Sequence, residues 1–283
     1  MSPDTTSEFL GQSLYVHIGA GKTGSTSIQM ALRNAKDLLL ESFVGYVGLN
    51  FEYVADPIFK WQAPIGWQTL EKIENTQAIN QLINAAKSAL ANAKKLSVNK
   101  LVWSNESLFE NAEIVVPVLE HLESIGVKIT VVAYIRNHSS WAQSAYVQWG
   151  IKHKTYKGPI QSFPEWVSRN LINYSKCIKA YTSSRFSLVL RNFDCTDDVL
   201  IDFLKVIEVD ESCVKSAWVN ESPAPTALKL WALYNNQHKD EVLPGDLEWL
   251  FQASGVFYDK TPHLFYEDLI PRASDMLLVK EKA

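Results

Sequence analysis

A chain of 283 residues, 47% of them hydrophobic, can bury a sizeable core and needs no disulfide or metal staple to fold. Its net charge of −4, from 27 basic and 31 acidic residues, argues against a broad electrostatic grip on nucleic acid or an anionic membrane and leaves partners that are small or locally recognised. Cys177, Cys195 and Cys213 are odd in number and far apart, which speaks against a disulfide framework or a zinc site.

The opening segment, MSPDTTSEFLGQS, lacks the basic and apolar regions of a signal peptide, and no later apolar run has the length of a membrane span. A cytoplasmic protein is expected. SLYVHI (13–18) predicts a strand, GAGKTG a glycine-rich turn and STSIQMALRNA a helix, whose apolar stripe Ile28, Ala31, Leu32, Ala35 and Leu39 has helical spacing. From Gly45 to Thr69 the pattern is lost: Phe51, Tyr53, Phe59, Trp61 and Trp67 stand among Gly and Pro without a period. This irregular insertion, at about 45–70, is expected either to line an acceptor site or to anchor itself to the core through its aromatics.

A second helix follows on Ile79, Leu82, Ile83, Ala86 and Leu90. KLVWS (100–104), KITVVAYI (128–135) and FSLVL (186–190) complete a set of apolar runs that predict strands covered on both faces. From Val199 onward helices dominate, interrupted at NESPAP (Asn220 to Pro225) by two prolines. The alternation predicts an α/β fold: a P-loop-like three-layer α/β/α core with a parallel sheet flanked by helices, in one domain over 1–283 with a mainly helical C-terminal part.

The strand, glycine-rich turn and helix at 13–35 would place backbone N–H groups and a helix N-terminus against an anion. A Walker A loop needs GxxxxGK[ST], yet counting back from Gly21-Lys22-Thr23 puts Val16 where its first glycine belongs. Nucleotide triphosphate chemistry also needs magnesium, held by an acidic residue at a strand end. LVWSNE offers Glu106, VVAYIRN ends in Arg136, and no Asp closes either strand. A phosphate loop without an evident metal partner suits a group less charged than a phosphoryl, and a singly charged sulfuryl group could be handled by hydrogen-bond donors and a lysine.

With that loop the sequence resembles the sulfotransferases that use 3′-phosphoadenosine-5′-phosphosulfate (PAPS), whose 5′-phosphosulfate loop follows the first strand with a pattern near PK(S/T)G(T/S)(T/S). Here it stands as GKTGSTS, matching from Lys22 onward, with Gly21 where the family often has Pro. The resemblance implies that Lys22 meets the bridging oxygen of the phosphosulfate. It implies that Thr23, Gly24, Ser25, Thr26 and Ser27 form the surrounding loop, the last four enclosing the 5′-phosphate through N–H and hydroxyl groups. The family's second signature, an arginine ending a later strand and a serine eight residues on, both on the 3′-phosphate, is matched in YIRNHSSWAQSAYVQW by Arg136 and Ser144. The spacing puts Ser144 near the start of the next helix. WSNESLF, VLRNFD and VNESPAP echo further family segments, and without an anchor the chain is similar to the soluble bacterial members.

The resemblance implies in-line, metal-independent transfer from PAPS to a hydroxyl of a carbohydrate or small metabolite, with 3′-phosphoadenosine 5′-phosphate (PAP) as product. The proton of the acceptor needs a base within reach. Glu106, just past a strand at the edge where open α/β sheets bind ligands, is the first candidate, with helix capping as its alternative role. Related enzymes use a glutamate or a histidine. Of the histidines, His17 reads as a packed core residue, His138 as a phosphate-orienting or capping residue, and His153 as part of a basic cluster with Lys152, Lys154 and Lys157. Lys22 would also serve the departing phosphate. Trp218 and the loop before NESPAP are candidates for the adenine. Two alternatives stay open: a P-loop kinase with a degenerate Walker A loop, and a non-catalytic nucleotide-binding module.

Overall fold

The computed structural model describes residues 8–64, 66–214, 222–259, 269 and 271–283. Its centre is a five-stranded, wholly parallel sheet in the order β2-β3-β1-β4-β5, formed by β1 (Ser13–Gly19), β2 (Val44–Tyr46), β3 (Lys100–Ser104), β4 (Lys128–Ile135) and β5 (Ser187–Asn192). Helices flank it, as the strand–helix alternation predicts. In chain order they begin with α1 (Ser25–Asn34), α2 (Lys36–Glu41), α3 (Trp67–Leu70), α4 (Asn75–Lys95) and α5 (Ala112–Ser124). The later helices of the chain are α6 (His138–Ala145), α7 (Phe163–Asn170), α8 (Tyr174–Thr182), α9 (Val199–Val206), α10 (Pro225–Asn235), α11 (Gly245–Ala253) and α12 (Ala273–Lys282), of which α8 and α9 belong with the sheet. None of the described helices is long and apolar enough to cross a membrane.

Where the sequence reads as one domain over 1–283, the contacts gather into two compact units: 1–135 with 174–219, and 136–173 with 220–283. In the first, residues alternate between the two faces of each strand. Tyr15 of β1, Tyr46 of β2, Val102 of β3 and Val132 and Tyr134 of β4 share a buried cluster with Ile28 and Leu32 of α1, Leu39 of α2 and Phe203 and Leu204 of α9. Their strand neighbours Leu14, Val16, Leu101, Trp103, Val131 and Ala133 are buried too, so the central strands are covered on both faces. This is why they read as unbroken apolar runs.

In the second unit α6 runs on as a π-helical stretch, Tyr146–Lys152. Tyr146 packs on Phe163 and Trp166 of α7, and Trp231 of α10 packs edge-on against Phe251 and Phe257. Lys152 and Lys154 of the basic cluster are buried here and are not part of a solvated loop. The Lys152 ammonium pairs with Glu248 at 3.0 Å over the Trp231 ring, and that of Lys154 donates to the carbonyls of Gly158 and His238. Both ammonium groups are held by internal acceptors.

Three further expectations change. The helix on Ile28 to Leu39 is two helices that break at Ala35, because the apolar stripe continues across a bend it does not register. The insertion is shorter than 45–70, since Gly45 and Tyr46 belong to β2 and Trp67 opens α3. FSLVL is an edge strand shifted to Ser187–Asn192 and half-exposed, with Leu190 open to solvent, so it is not covered on both faces. An edge strand pairs on one side only.

Candidate active site

Because all five strands are parallel, their C-terminal ends share one edge of the sheet. The connection from β1 leads towards β2 and that from β4 towards β5, so the direction reverses between the C-terminal ends of β1 and β4. Open α/β sheets bind ligands at such a crevice. The GAGKTG turn leaves β1 there.

The loop is held from below and from one side. The Ala20 N–H donates to the Tyr134 carbonyl at 2.9 Å, and the Asn105 N–H donates to the His17 carbonyl at 3.0 Å, tying it to β4 and to the end of β3. Gly19 has φ 90°, and a Cβ there would stand 3.0 Å from the Glu106 Cβ and 3.1 Å from its Cα. Only a glycine lets the chain pass so close to Glu106. Lys22 has φ 66°, a left-handed backbone that side-chain-bearing residues seldom adopt, and Gly24 at φ 81° is the N-cap of α1.

That helix end fits an anion. No side chain caps it and its first turn carries no acidic residue, so neither a competing acceptor nor a like charge stands at the positive end of the helix dipole. Thr26 is exposed and Ser27 half-exposed, whereas Thr23 and Ser25 are buried. The Thr23 hydroxyl donates to the Ala20 carbonyl, and that of Ser25 points to the same oxygen at 3.5 Å. Of the predicted phosphate residues, Thr23 and Ser25 thus use their hydroxyls inside the loop and can offer a ligand only backbone N–H groups.

Glu106 opens the 3₁₀ turn Glu106–Phe109 directly beyond β3. Helix capping is not its role, since the Asn105 side chain caps this turn by accepting from the Ser107 N–H at 2.9 Å. The half-buried Glu106 carboxylate instead accepts from Gln29 Nε2 of α1 at 2.7 Å. Beneath it Ser104 Oγ lies 2.7 Å from His17 Nδ1. His17 is fully buried, as the sequence predicts for a core residue, and burial pushes its pKa down to about 3.

In the second unit Arg136 directly follows β4, and Asn137 caps α6 by accepting from the Ser139 N–H at 2.9 Å. Ser144 is not near the start of that helix but in its last turn. The serine in the first turn is Ser140, which accepts from Arg136 Nε at 3.0 Å and donates to the Asn137 carbonyl at 3.1 Å. Ser140 and Ser144, four residues apart, share one face of α6. Trp218, Asn220 and Glu221 lie outside the described residues.

The aromatics of the insertion divide. Phe51, Trp61 and Trp67 are buried, Phe51 against the Trp103 ring at 4.7 Å, while the indole N–H groups of Trp61 and Trp67 donate to Gln81 and Glu71. They anchor the segment to the core. Tyr53 is more open and, with Tyr46, Lys36 and Leu101, lines a cavity of about 290 Å³. Two residues escape sequence reasoning: Gln29, which only its position one turn after Ser25 could have flagged, and Tyr46. The Tyr46 hydroxyl is buried without a hydrogen-bond partner among the described residues, and burial, with Glu52 nearby, pushes its pKa up.

No family model matches the chain, and no curated protein matches it. Similar solved structures include a chain of the PezAT chromosomal toxin–antitoxin system of the human pathogen Streptococcus pneumoniae, at 11% identity and a TM-score of 0.32, covering 86% of this chain and 90% of that one. Retinol dehydratase in complex with retinol and PAP matches at 14% identity and a TM-score of 0.30, over 72% of this chain and 61% of that one. Retinol dehydratase in complex with androsterone and the inactive cofactor PAP matches at 13% identity and a TM-score of 0.33, over 99% and 81% of the two chains. Scores this low assign no chemistry to the site.

Proposed function

We propose that the chain is a sulfotransferase that moves a sulfuryl group from PAPS to a hydroxyl of a carbohydrate or small metabolite. The observation that carries this reading is the loop from Gly19 to Gly24. It sets a lysine in left-handed backbone before an uncapped helix end and passes within contact of a carboxylate-bearing turn. Strained backbone of this kind clusters at functional sites. A kinase with a degenerate Walker A loop fits less well, since Val16, in the place of the first glycine, is buried inside β1.

When bound, the donor supplies a sulfuryl group on a bisphosphate leaving group. Backbone N–H groups at the start of α1, with the hydroxyls of Thr26 and Ser27, hold the 5′-phosphate. Lys22 neutralises the charge left on that phosphate as the bridging oxygen–sulfur bond breaks. Glu106 takes the proton of the acceptor hydroxyl as its oxygen bonds to sulfur. Arg136 and Ser144 are assigned to the 3′-phosphate by their sequence spacing, and no metal is required.

Calorimetry of adenosine 3′,5′-bisphosphate against ADP, both in EDTA, tests the donor. Preference for the bisphosphate is expected, and Arg136→Ala should weaken it by about 1.5–3 kcal/mol per charge-assisted hydrogen bond lost, with AMP binding unchanged. An equal loss for AMP would remove Arg136 from the 3′-phosphate. Preference for ADP, or binding only with magnesium, would hand the site to the kinase reading.

A further inference from the structure

We infer that Gln29 is a positioning residue for sulfuryl transfer, holding the Glu106 carboxylate in register with the phosphate loop. The inference rests on the sulfotransferase reading. Gln29 lies on α1, the helix whose first turn faces the proposed phosphate, and its Nε2 donates to Glu106 Oε2 at 2.7 Å and approaches the Ser104 carbonyl at 3.5 Å. Both neighbours are acceptors only, so the amide nitrogen and not its oxygen must face them. The orientation of the Gln29 amide is thereby fixed by chemistry.

The consequence is geometric. Glu106 sits at the head of a four-residue 3₁₀ turn, which by itself would leave a long side chain several rotamers. Gln29 ties one carboxylate oxygen to the same rigid helix that presents N–H groups to the donor, so base and phosphate are referenced to a single element. The second acceptor, the Ser104 carbonyl, belongs to the last residue of β3, whose hydroxyl lies 2.7 Å from the buried His17. Reaction rates are sensitive to such placement, and a base displaced by an ångström loses much of its effect.

Two variants of the full chain separate this role from packing. Gln29→Met keeps the length and apolar stem without a donor, and Gln29→Glu keeps the shape but opposes Glu106 with a second carboxylate. Turnover is read as sulfur-35 passed from labelled PAPS to glucose, glycerol or 2-naphthol, or to water as sulfate, with PAP formed in equal amount, and binding as bisphosphate affinity by calorimetry. Gln29→Met should lower kcat by about ten- to a hundredfold, the equivalent of one charge-assisted hydrogen bond, and Gln29→Glu should lower it further. Bisphosphate affinity should stay within about twofold of native, since uniform binding is untouched. Added to Glu106→Gln, Gln29→Met should cost almost nothing more, as expected for a pair acting as one.

Native-like kcat in Gln29→Met, an equal loss in both backgrounds, or a parallel fall in bisphosphate affinity would overturn the role of Gln29 alone. A native chain that fails to bind the bisphosphate, or binds it and releases no PAP from PAPS, would overturn the sulfotransferase reading and Gln29 with it.

Discussion

His17 shows how one side chain under the loop links chemistry to stability. The ring is fully buried between Tyr134 and Phe203; its Nδ1 meets Ser104, and its Nε2 has no hydrogen-bond partner among the described residues. Protonation would add a charge and an unsatisfied N–H in an apolar site, which is why burial lowers the pKa to about 3. The unfolded chain takes up this proton near pH 6.5 while the folded chain does not, so the unfolded state binds more protons between those values. Stability from this group is therefore whole above pH 6.5 and falls as the pH drops towards 3. Urea unfolding at pH 7, 6 and 5 should show the native chain losing stability more steeply than His17→Asn, by about 1 kcal/mol per pH unit below pH 6. Parallel slopes would mean that His17 is not buried neutral.

At the scale of elements, the loop and α1 act together through Gly24. A Cβ there would meet Val199 Cγ1 of α9 at 2.6 Å and the Phe193 ring at 3.2 Å, on a backbone already left-handed. Gly24→Ala should cost about 2–4 kcal/mol, from the left-handed penalty together with overpacking, and weaken bisphosphate binding as the helix end moves. Urea unfolding and calorimetry check both, and a native-like midpoint with native affinity would show that α9 yields at no cost. Much at this scale was legible. SLYVHI, KLVWS and KITVVAYI read as strands because both faces are buried, and Lys22 and Glu106 stood out because each sits where a strand runs into a turn. The three residues of β2, with a glycine in the middle, are too short for any period, and the edge position of β5 depends on partners remote in sequence. The family spacing says nothing of where α6 begins, which Asn137 decides by capping it, and Ser144 therefore falls in the last turn and not the first. The Gln29–Glu106 contact joins residues 77 apart and leaves no local pattern.

For the whole molecule, the division into two compact units was invisible in the sequence, because the chain leaves the first at 136, re-enters it at 174 and leaves it again after 219 without a shift in composition. Donor binding nonetheless bears on the stability of the chain. A ligand that binds only the folded state stabilises it by mass action, by about 2.7 kcal/mol at a hundredfold excess over its dissociation constant. For a chain of this length that should raise the melting temperature of the transition that includes the sheet by about 5 °C. Adenosine 3′,5′-bisphosphate should do this in EDTA, because the proposed donors are N–H groups, hydroxyls, a lysine and an arginine, none of which needs a metal bridge. Because the chain carries a net charge of −4, a non-specific anion effect is disfavoured, and inorganic sulfate at the same concentration should shift the transition far less. An equal shift by sulfate would reduce the loop to a general anion site, and a shift by ADP that appears only with magnesium would point to phosphoryl rather than sulfuryl chemistry.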